Sequence, residues 1–351
     1  MLKNSYKYAL MMFRGDETSL GQFALSVDWE PARECAEFKA VRRGVMSGGE
    51  AGSVSFVHPV WHPKLGEPYT NGFRVSVRSN GSQETSVDFS SSYFKSFASQ
   101  VSAQLVEKGD LKAGDNFFYV VVAFPHPDEP QNGSHPGFTV EEVPSILPLK
   151  ETRLQSLLDK AEPQGEITPN EMPFFLPHNV LEEAATLSRE AGAKETGGIL
   201  VGYLHRDDSM PEVFAEVTAQ LPARHTKAEL TKLTFTPQTW TDMRAALELR
   251  RRDEIMLGWW HSHPAREWCK DCSVESQRVC KMARDFFSVH DQALHRAVFP
   301  KAYCIALVVN DVSFAEPSFS LFGWKDGALV PRGFFVIGES EPAQKILSKL
   351  K

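Results

Sequence analysis

Two histidines separated by one serine stand in Trp259-Trp260-His261-Ser262-His263-Pro264, directly after the apolar run Ile255 to Trp260. Such a run reads as a buried strand. Side chains alternate faces along a strand, so His261 and His263 point the same way. Two imidazoles on one face can hold one metal ion through nitrogen, a common way of binding zinc. Ser262 then points to the other face, and Pro264 stops the strand from continuing as a paired interior strand. A catalytic zinc also needs a third protein ligand, a position open to water and a general base. Glu195 is the candidate base. It stands between a predicted helix and a predicted buried strand, and Gly197 and Gly198 after it let backbone approach closely.

The cysteines add a second set of possible ligands. There are five, Cys35, Cys269, Cys272, Cys280 and Cys304, an odd number with three clustered. That argues against a secreted disulfide framework. Cys269, Cys272 and Cys280 form Cys-x2-Cys-x7-Cys, whose first pair has zinc-ligand spacing. The trio reads either as simple burial or as a second, structural zinc site with a fourth ligand such as His290 or His295.

The elements that position these residues follow from periodicity. Residues 177–191 read as a helix with Val180, Leu181, Ala184, Ala185 and Leu187 on its apolar side. Strands are expected at 199–201, 213–217, 233–235, 255–260 and 304–310, and helices at 236–251 and from Ser273 to about Ser288. The irregular alternation predicts a mixed sheet flanked by helices. Nearer the N-terminus, 73–77 alternates as a strand. Residues 91–108 carry Phe94, Phe97, Val101 and Leu105 on one helix face, ended by Gly109, and 117–124 read as an interior strand. The expected fold class is α/β (α+β) in three parts. These are an α+β recognition domain over 1–124, a proline-rich linker over 125–173, and a catalytic domain over 174–351.

Glu195-Thr196-Gly197-Gly198-Ile199-Leu200-Val201-Gly202, followed by Gly258-Trp259-Trp260-His261-Ser262-His263-Pro264, resembles the JAMM (JAB/MPN-type) zinc metalloprotease family, in its prokaryotic deubiquitinase-like branch. The resemblance covers about residues 174–336, and 321–327 is similar to the last strands of prokaryotic members. The family pattern is a Glu, then His-x-His-Pro, then Ser-x-x-Asp at the start of a helix. The resemblance implies that Glu195 is the general acid/base, that His261 and His263 bind zinc, and that Ser273 donates to the oxyanion. The chain departs from the pattern next. Three residues after Ser273 stands Ser276, a poor zinc ligand, and the intervening loop is longer than usual. Glu275 is the expected third ligand. Asp271 and the thiolates of Cys269 or Cys272 are alternatives, and loss of the metal is another.

The function implied by the resemblance is a zinc-dependent peptidase or isopeptidase cleaving at the C-terminus of a ubiquitin-like protein or its conjugates. The setting would be a bacterial conjugation system with activating (E1-like) and conjugating (E2-like) enzymes as partners. A catalytically inactive MPN-like scaffold with structural zinc is one alternative, and a peptidase trimming a sulfur-carrier-type protein is another. A net charge of -7 with no basic run argues against a nucleic-acid partner. The apolar run Tyr8 to Phe13 is too short to span a membrane, and no stretch approaches 18 apolar residues. The expectation is a soluble, cytoplasmic protein without a membrane partner.

Overall fold

A computed structural model describes residues 2–46, 54–78, 84–126, 147–169, 171–210, 212–223, 226–229, 232–280, 286–312 and 315–338. The chain divides into two units, Met1–Leu147 with Lys325–Ala328, and Pro148–Trp324 with Leu329–Lys351.

The first unit runs β1 (Leu2–Asn4), β2 (Tyr6–Arg14), β3 (Ser19–Ala24), α1 (Glu30–Arg42), β4 (Val54–Trp61), β5 (Tyr69–Arg78), β6 (Glu84–Ser90), α2 (Lys95–Lys108) and β7 (Phe117–Pro125). Among the described residues its sheet has the order β1-β4-β5-β7-β2-β3, with β6 on β5. The apolar run near the N-terminus is β2, an interior strand paired with β3 and β7. β6 shows strict alternation, with Thr85, Val87 and Phe89 buried and their neighbours exposed. Gly109 ends α2 in the left-handed region, at φ 82°, where a Cβ would be strained. The proline-containing stretch around Pro59 is β4. It is unpaired on its β1 side beyond Val57, which accommodates a proline.

The second unit begins within the stretch expected to be a linker. β8 (Leu149–Glu151), α3 (Leu154–Leu158) and β9 (Ala161–Gln164) are ordered elements, and β8 and β9 belong to this unit's sheet. β9 is an edge strand, so Pro163 costs no bond to a further strand. Residues 127–146, the rest of the expected linker's core, lie outside the described residues. The chain continues through β10 (Phe174–Pro177), α4 (His178–Glu190), β11 (Gly197–Asp207), β12 (Glu212–Pro222), β13 (Thr226–Glu229), β14 (Lys232–Phe235), α5 (Pro237–Arg250) and β15 (Ile255–His263). It ends with α6 (Ala265–Trp268), α7 (Val274–Val279), α8 (Val289–Val298), β16 (Ile305–Asn310), β17 (Ser318–Lys325), β18 (Ala328–Arg332) and β19 (Phe334–Ile337).

The sheet order is β18-β17-β16-β15-β11-β12-β10-β19-β9, with β8 beside β11 and with both parallel and antiparallel pairs. The mixed α+β architecture expected from the sequence is therefore present. α4 buries Val180, Leu181, Ala184, Ala185 and Ser188, residues one, three and four apart on one stripe. α5 starts at Thr236, whose hydroxyl accepts from the Thr239 N–H, with Pro237 in the first turn. The core on one face of the central strands gathers Ile199, Val201, Trp259, Ala306, Val308 and Phe322.

Candidate metal centre

β15 is the spine of the site. It lies between β11, antiparallel, and β16, parallel, and Leu257 through His263 are all buried. Alternation sends Trp259, His261 and His263 to one face and Trp260 and Ser262 to the other. Trp260 donates its indole N–H to Gln220 Oε1 at 3.1 Å, and Gln220 in turn donates to Glu183 of α4. Gly198 faces Trp260 across the ladder. A Cβ at Gly198 would stand 2.7 Å from Trp260 Nε1, so this glycine is required by close approach.

Ser262 fixes the backbone next to Glu195. Its backbone N–H donates to the Thr196 carbonyl at 2.9 Å, and its hydroxyl accepts from the Thr196 N–H at 3.1 Å. Gly197 pairs with His261 in the next rung. The residue before Thr196 is thereby held beside the histidine strand. Glu195 is 5% exposed and interacts electrostatically with both His261 and Asp291. Burial pushes its carboxyl up to about 7; His261 pulls the other way and Asp291 adds to the rise.

The third group comes from α8. Ser288 caps this helix reciprocally: its hydroxyl accepts from the Asp291 N–H at 3.1 Å, and its N–H donates to Asp291 Oδ2 at 2.7 Å. This capping box aims the Asp291 carboxylate at the histidines, with Oδ2 3.6 Å from His261 Nε2. Burial alone would raise the Asp291 carboxyl. The His261 contact, with hydrogen bonds from the Ser288 hydroxyl and N–H to the carboxylate, outweighs that effect and holds it below the usual carboxylate range.

His261 Nε2 and His263 Nε2 are 3.1 Å apart, and one ligand atom from each of His261, His263 and Asp291 lies within 4.8 Å of the others. Nitrogens sharing one tetrahedral zinc at about 2.0–2.1 Å stand about 3.3 Å apart. Burial, reinforced by His261, pushes His263 down to about 3, which leaves a neutral imidazole with a lone pair to offer. Two imidazole nitrogens and one carboxylate, all buried, fit a divalent cation of zinc's preferences.

Aromatic rings hold the imidazoles in place. Trp259 stacks on His261 with centroids 4.7 Å apart at 16°, and Phe286 stacks on His263 at 4.2 Å and 19°. Trp259 also donates its N–H to His295 Nδ1 at 3.1 Å. His295 is fully buried four residues after Asp291, so one helix supplies a candidate ligand and the acceptor that orients the ring beneath another. Burial pushes His295 down to about 3, keeping it neutral and able to accept.

The structure brings together Glu195, His261 and His263, and the carboxylate it sets beside the two histidines is that of Asp291, not Glu275. Glu275 is exposed in the first turn of α7 and is not part of the His261-His263-Asp291 group. Ser273 is the N-cap of that short helix, accepting from the Ser276 N–H, and is also exposed. Asp271 and Cys272 are exposed, Cys269 is buried and Cys280 half-buried. His295, considered as a fourth ligand for the cysteines, is instead bonded to Trp259, and His290 is exposed on α8. The helix expected from Ser273 to Ser288 is described only as α7, Val274–Val279, and residues 281–285 lie outside the described residues. Sequence reading missed Ser288 and Asp291. The signal was present, because Ser288-Val289-His290-Asp291 is itself Ser-x-x-Asp before a helix.

A mixed sheet that presents two histidines and a helix-borne aspartate beside a buried glutamate has the make-up of a site that could hold a divalent cation. Residues 174–285 match the family model described as JAB1/Mov34/MPN/PAD-1 ubiquitin protease, which bears out the JAMM/MPN resemblance over that segment. This family includes metalloisopeptidases and also inactive members. The matched segment ends three residues before Ser288. No curated protein matches the chain. Among solved structures, the solution structure of protein DSY2949 from Desulfitobacterium hafniense is 20% identical. That match covers 48% of this chain and 95% of that one, with a TM-score of 0.33.

Proposed function

We propose that the second unit is a zinc-dependent peptidase or isopeptidase acting at the C-terminus of a ubiquitin-like protein or its conjugates. The observation that carries this reading is the convergence of His261, His263 and the Asp291 carboxylate beside Glu195, a buried carboxyl raised to about 7. His261, His263 and Asp291 would hold the cation, which when bound acidifies water and polarises a carbonyl. Glu195 is poised to accept a proton near neutral pH and to return it to the departing amine. Ser288 takes the place expected of Ser273. Its hydroxyl accepts from the Asp291 N–H and also hydrogen-bonds the Asp291 carboxylate, so donating to a carbonyl oxygen that gains negative charge would require it to turn away from that carboxylate. Trp259, Phe286 and Ser262 move no proton; they fix the imidazoles and the base.

The scaffold alternative rested on Ser276 standing where a carboxylate was expected, and Asp291 supplies that carboxylate from a different helix. Activating and conjugating enzymes as partners, and a bacterial cytoplasmic setting, belong to the same proposal. No helix among the described residues is long and apolar enough to cross a membrane.

The test is hydrolysis of ubiquitin-like and sulfur-carrier-type proteins carrying either a C-terminal peptide extension or a lysine-linked conjugate. Cleavage after the terminal glycine is expected. It should be lost on chelation, restored by zinc, and lost in Glu195→Gln while the zinc stays bound. Extended and conjugated substrates distinguish trimming from isopeptide cleavage. Cleavage that persists in metal-free protein, or none by the zinc-loaded protein on any of these substrates, overturns the reading.

A further inference from the structure

Between His263 and Asp291 lie three cysteines, side chains of a metal-ligating type, that the proposed reaction does not use. After α6, Cys269-Lys270-Asp271-Cys272 makes a turn in which the Cys272 N–H donates to the Cys269 carbonyl at 3.0 Å. Gln277 of α7, only 3% exposed, clamps this turn: its side-chain amide donates to the carbonyls of Cys269 at 2.8 Å and of Cys272 at 3.2 Å. The last turn of α7 then brings Cys280 back, so that its Sγ lies 4.0 Å from Cys269 Sγ. Cys269 interacts electrostatically with both other cysteines. Thiolates sharing one tetrahedral zinc at about 2.3 Å stand about 3.8 Å apart. Cys269 and Cys280 already have nearly that separation.

The packing of this segment makes the grouping informative. α7 is six residues long and buries only Gln277, while Val274 and Val279 at its ends are 42% and 69% exposed. A helix this short does not hold itself together, and here no apolar stripe anchors it. The contacts that tie the turn to this helix include the Gln277 clamp and the paired sulfurs. A staple at those sulfurs would close a chain segment that lacks a core of its own.

We propose that Cys269, Cys272 and Cys280 bind a second, structural zinc ion, separate from the His261-His263-Asp291 centre, which ties the Cys-x2-Cys turn to the end of α7. Cys269 and Cys280 supply the preset pair. Cys272 is exposed and completes three thiolates by rotating about its own side-chain bonds. Each thiol releases one proton to solvent on binding, and nothing is oxidised or reduced.

The experiment uses the full chain expressed with zinc, then exchanged into cobalt. About two metal ions per chain are expected in the wild type, one for each centre. The thiolate-to-cobalt absorption in the near ultraviolet should survive in His261→Ala/His263→Ala and vanish in Cys269→Ser/Cys272→Ser/Cys280→Ser. Should the triple variant not fold, Cys272→Ser alters only an exposed side chain and should lower that absorption by roughly one third, as one of three thiolates is lost. The two histidine substitutions remove the other ion, so failure of the catalytic-zinc reading and failure of this one give different spectra. A single ion per chain with no thiolate absorption in the wild type overturns the proposal. So does a Cys269–Cys280 disulfide, found by mass spectrometry, in protein isolated without oxidant.

Discussion

Replacing Glu195 by Gln should make the protein more stable as it makes it inactive. Burial displaces the Glu195 carboxyl from its ordinary 4.5 to about 7. The side chain is 5% exposed, so solvent screens this little. At 1.36 kcal/mol per tenfold change, the displacement corresponds to roughly 3 kcal/mol. The sign follows from proton uptake. Below about pH 4.5 the carboxyl is protonated in both folded and unfolded chains, and its burial is without electrostatic cost. Between about 4.5 and 7 the unfolded chain ionises while the folded one keeps its proton, so stability falls. Above about 7 the folded protein carries a buried carboxylate, and the whole of roughly 3 kcal/mol has been lost. Glutamine does not titrate, so Glu195→Gln should gain nothing near pH 4 and up to about 3 kcal/mol near pH 8. For a unit of this size that raises the midpoint of thermal unfolding by roughly 6–12 °C. The assay is unfolding of chelator-treated wild type and variant across pH 4–8, so that no cation contributes. Hydrolysis by the zinc-loaded variant should fall by about 10²–10⁴, the usual loss of a general base. A variant that is destabilised at pH 8, or whose gain is the same at pH 4 and pH 8, refutes the argument that Glu195 is held in an environment hostile to its charge.

Other perturbations separate the roles of the surrounding residues. Asp291→Ala should release the histidine-bound zinc and also lose about 1 kcal/mol of helix capping, whereas Glu275→Ala should keep both zinc and activity; equilibrium dialysis against chelator compares them. Ser262→Ala removes the acceptor of the Thr196 N–H, so it should cost about 1–3 kcal/mol and lower kcat with zinc content unchanged, which metal analysis beside kinetics would check. His295→Phe leaves the Trp259 N–H buried without its acceptor and should weaken zinc binding by up to about tenfold; His295→Gln restores an acceptor, and the indole N–H resonance of Trp259 should return toward its wild-type position. Gly198→Ala pushes a methyl group into Trp260 and should destabilise by about 2 kcal/mol or more in chemical denaturation.

The part of the site written in strand periodicity was legible in the sequence. His261 and His263 follow a buried run at a spacing of two, and the glycines after Glu195 mark where another strand must approach. The third candidate ligand was harder because Ser-x-x-polar is first of all a capping signal, and two described helices after the histidines begin with it. Ser273 caps α7 and Ser288 caps α8, and local chemistry at the two starts is alike. Only tertiary placement decides which helix start meets the histidines, and the intervening 14 residues from Val274 to Phe287 hide that choice. The proline-rich stretch failed for a related reason. Proline forbids an interior ladder position but not an edge, so Pro163 in β9 was compatible with a strand that composition alone argued against. The role of His295 was invisible, because nothing in a sequence says which buried indole will need an acceptor.

The Asp291 carboxylate has two employers. It closes the first turn of α8 by accepting from the Ser288 N–H, and it faces the two imidazoles. A carboxylate that both caps a helix start and would complete a cation site makes the two equilibria one. When the helix start frays, this candidate ligand swings away with it, and with a cation bound, fraying would require that a bond to it be broken. By linkage, a tightly held ion should slow exchange of the amide hydrogens at this helix start by the same factor by which an ordered start tightens the ion. The N-terminal turn of α8 is thus where occupancy of the centre would be read out as local order, in a segment that reaches the surface at Val289 and His290.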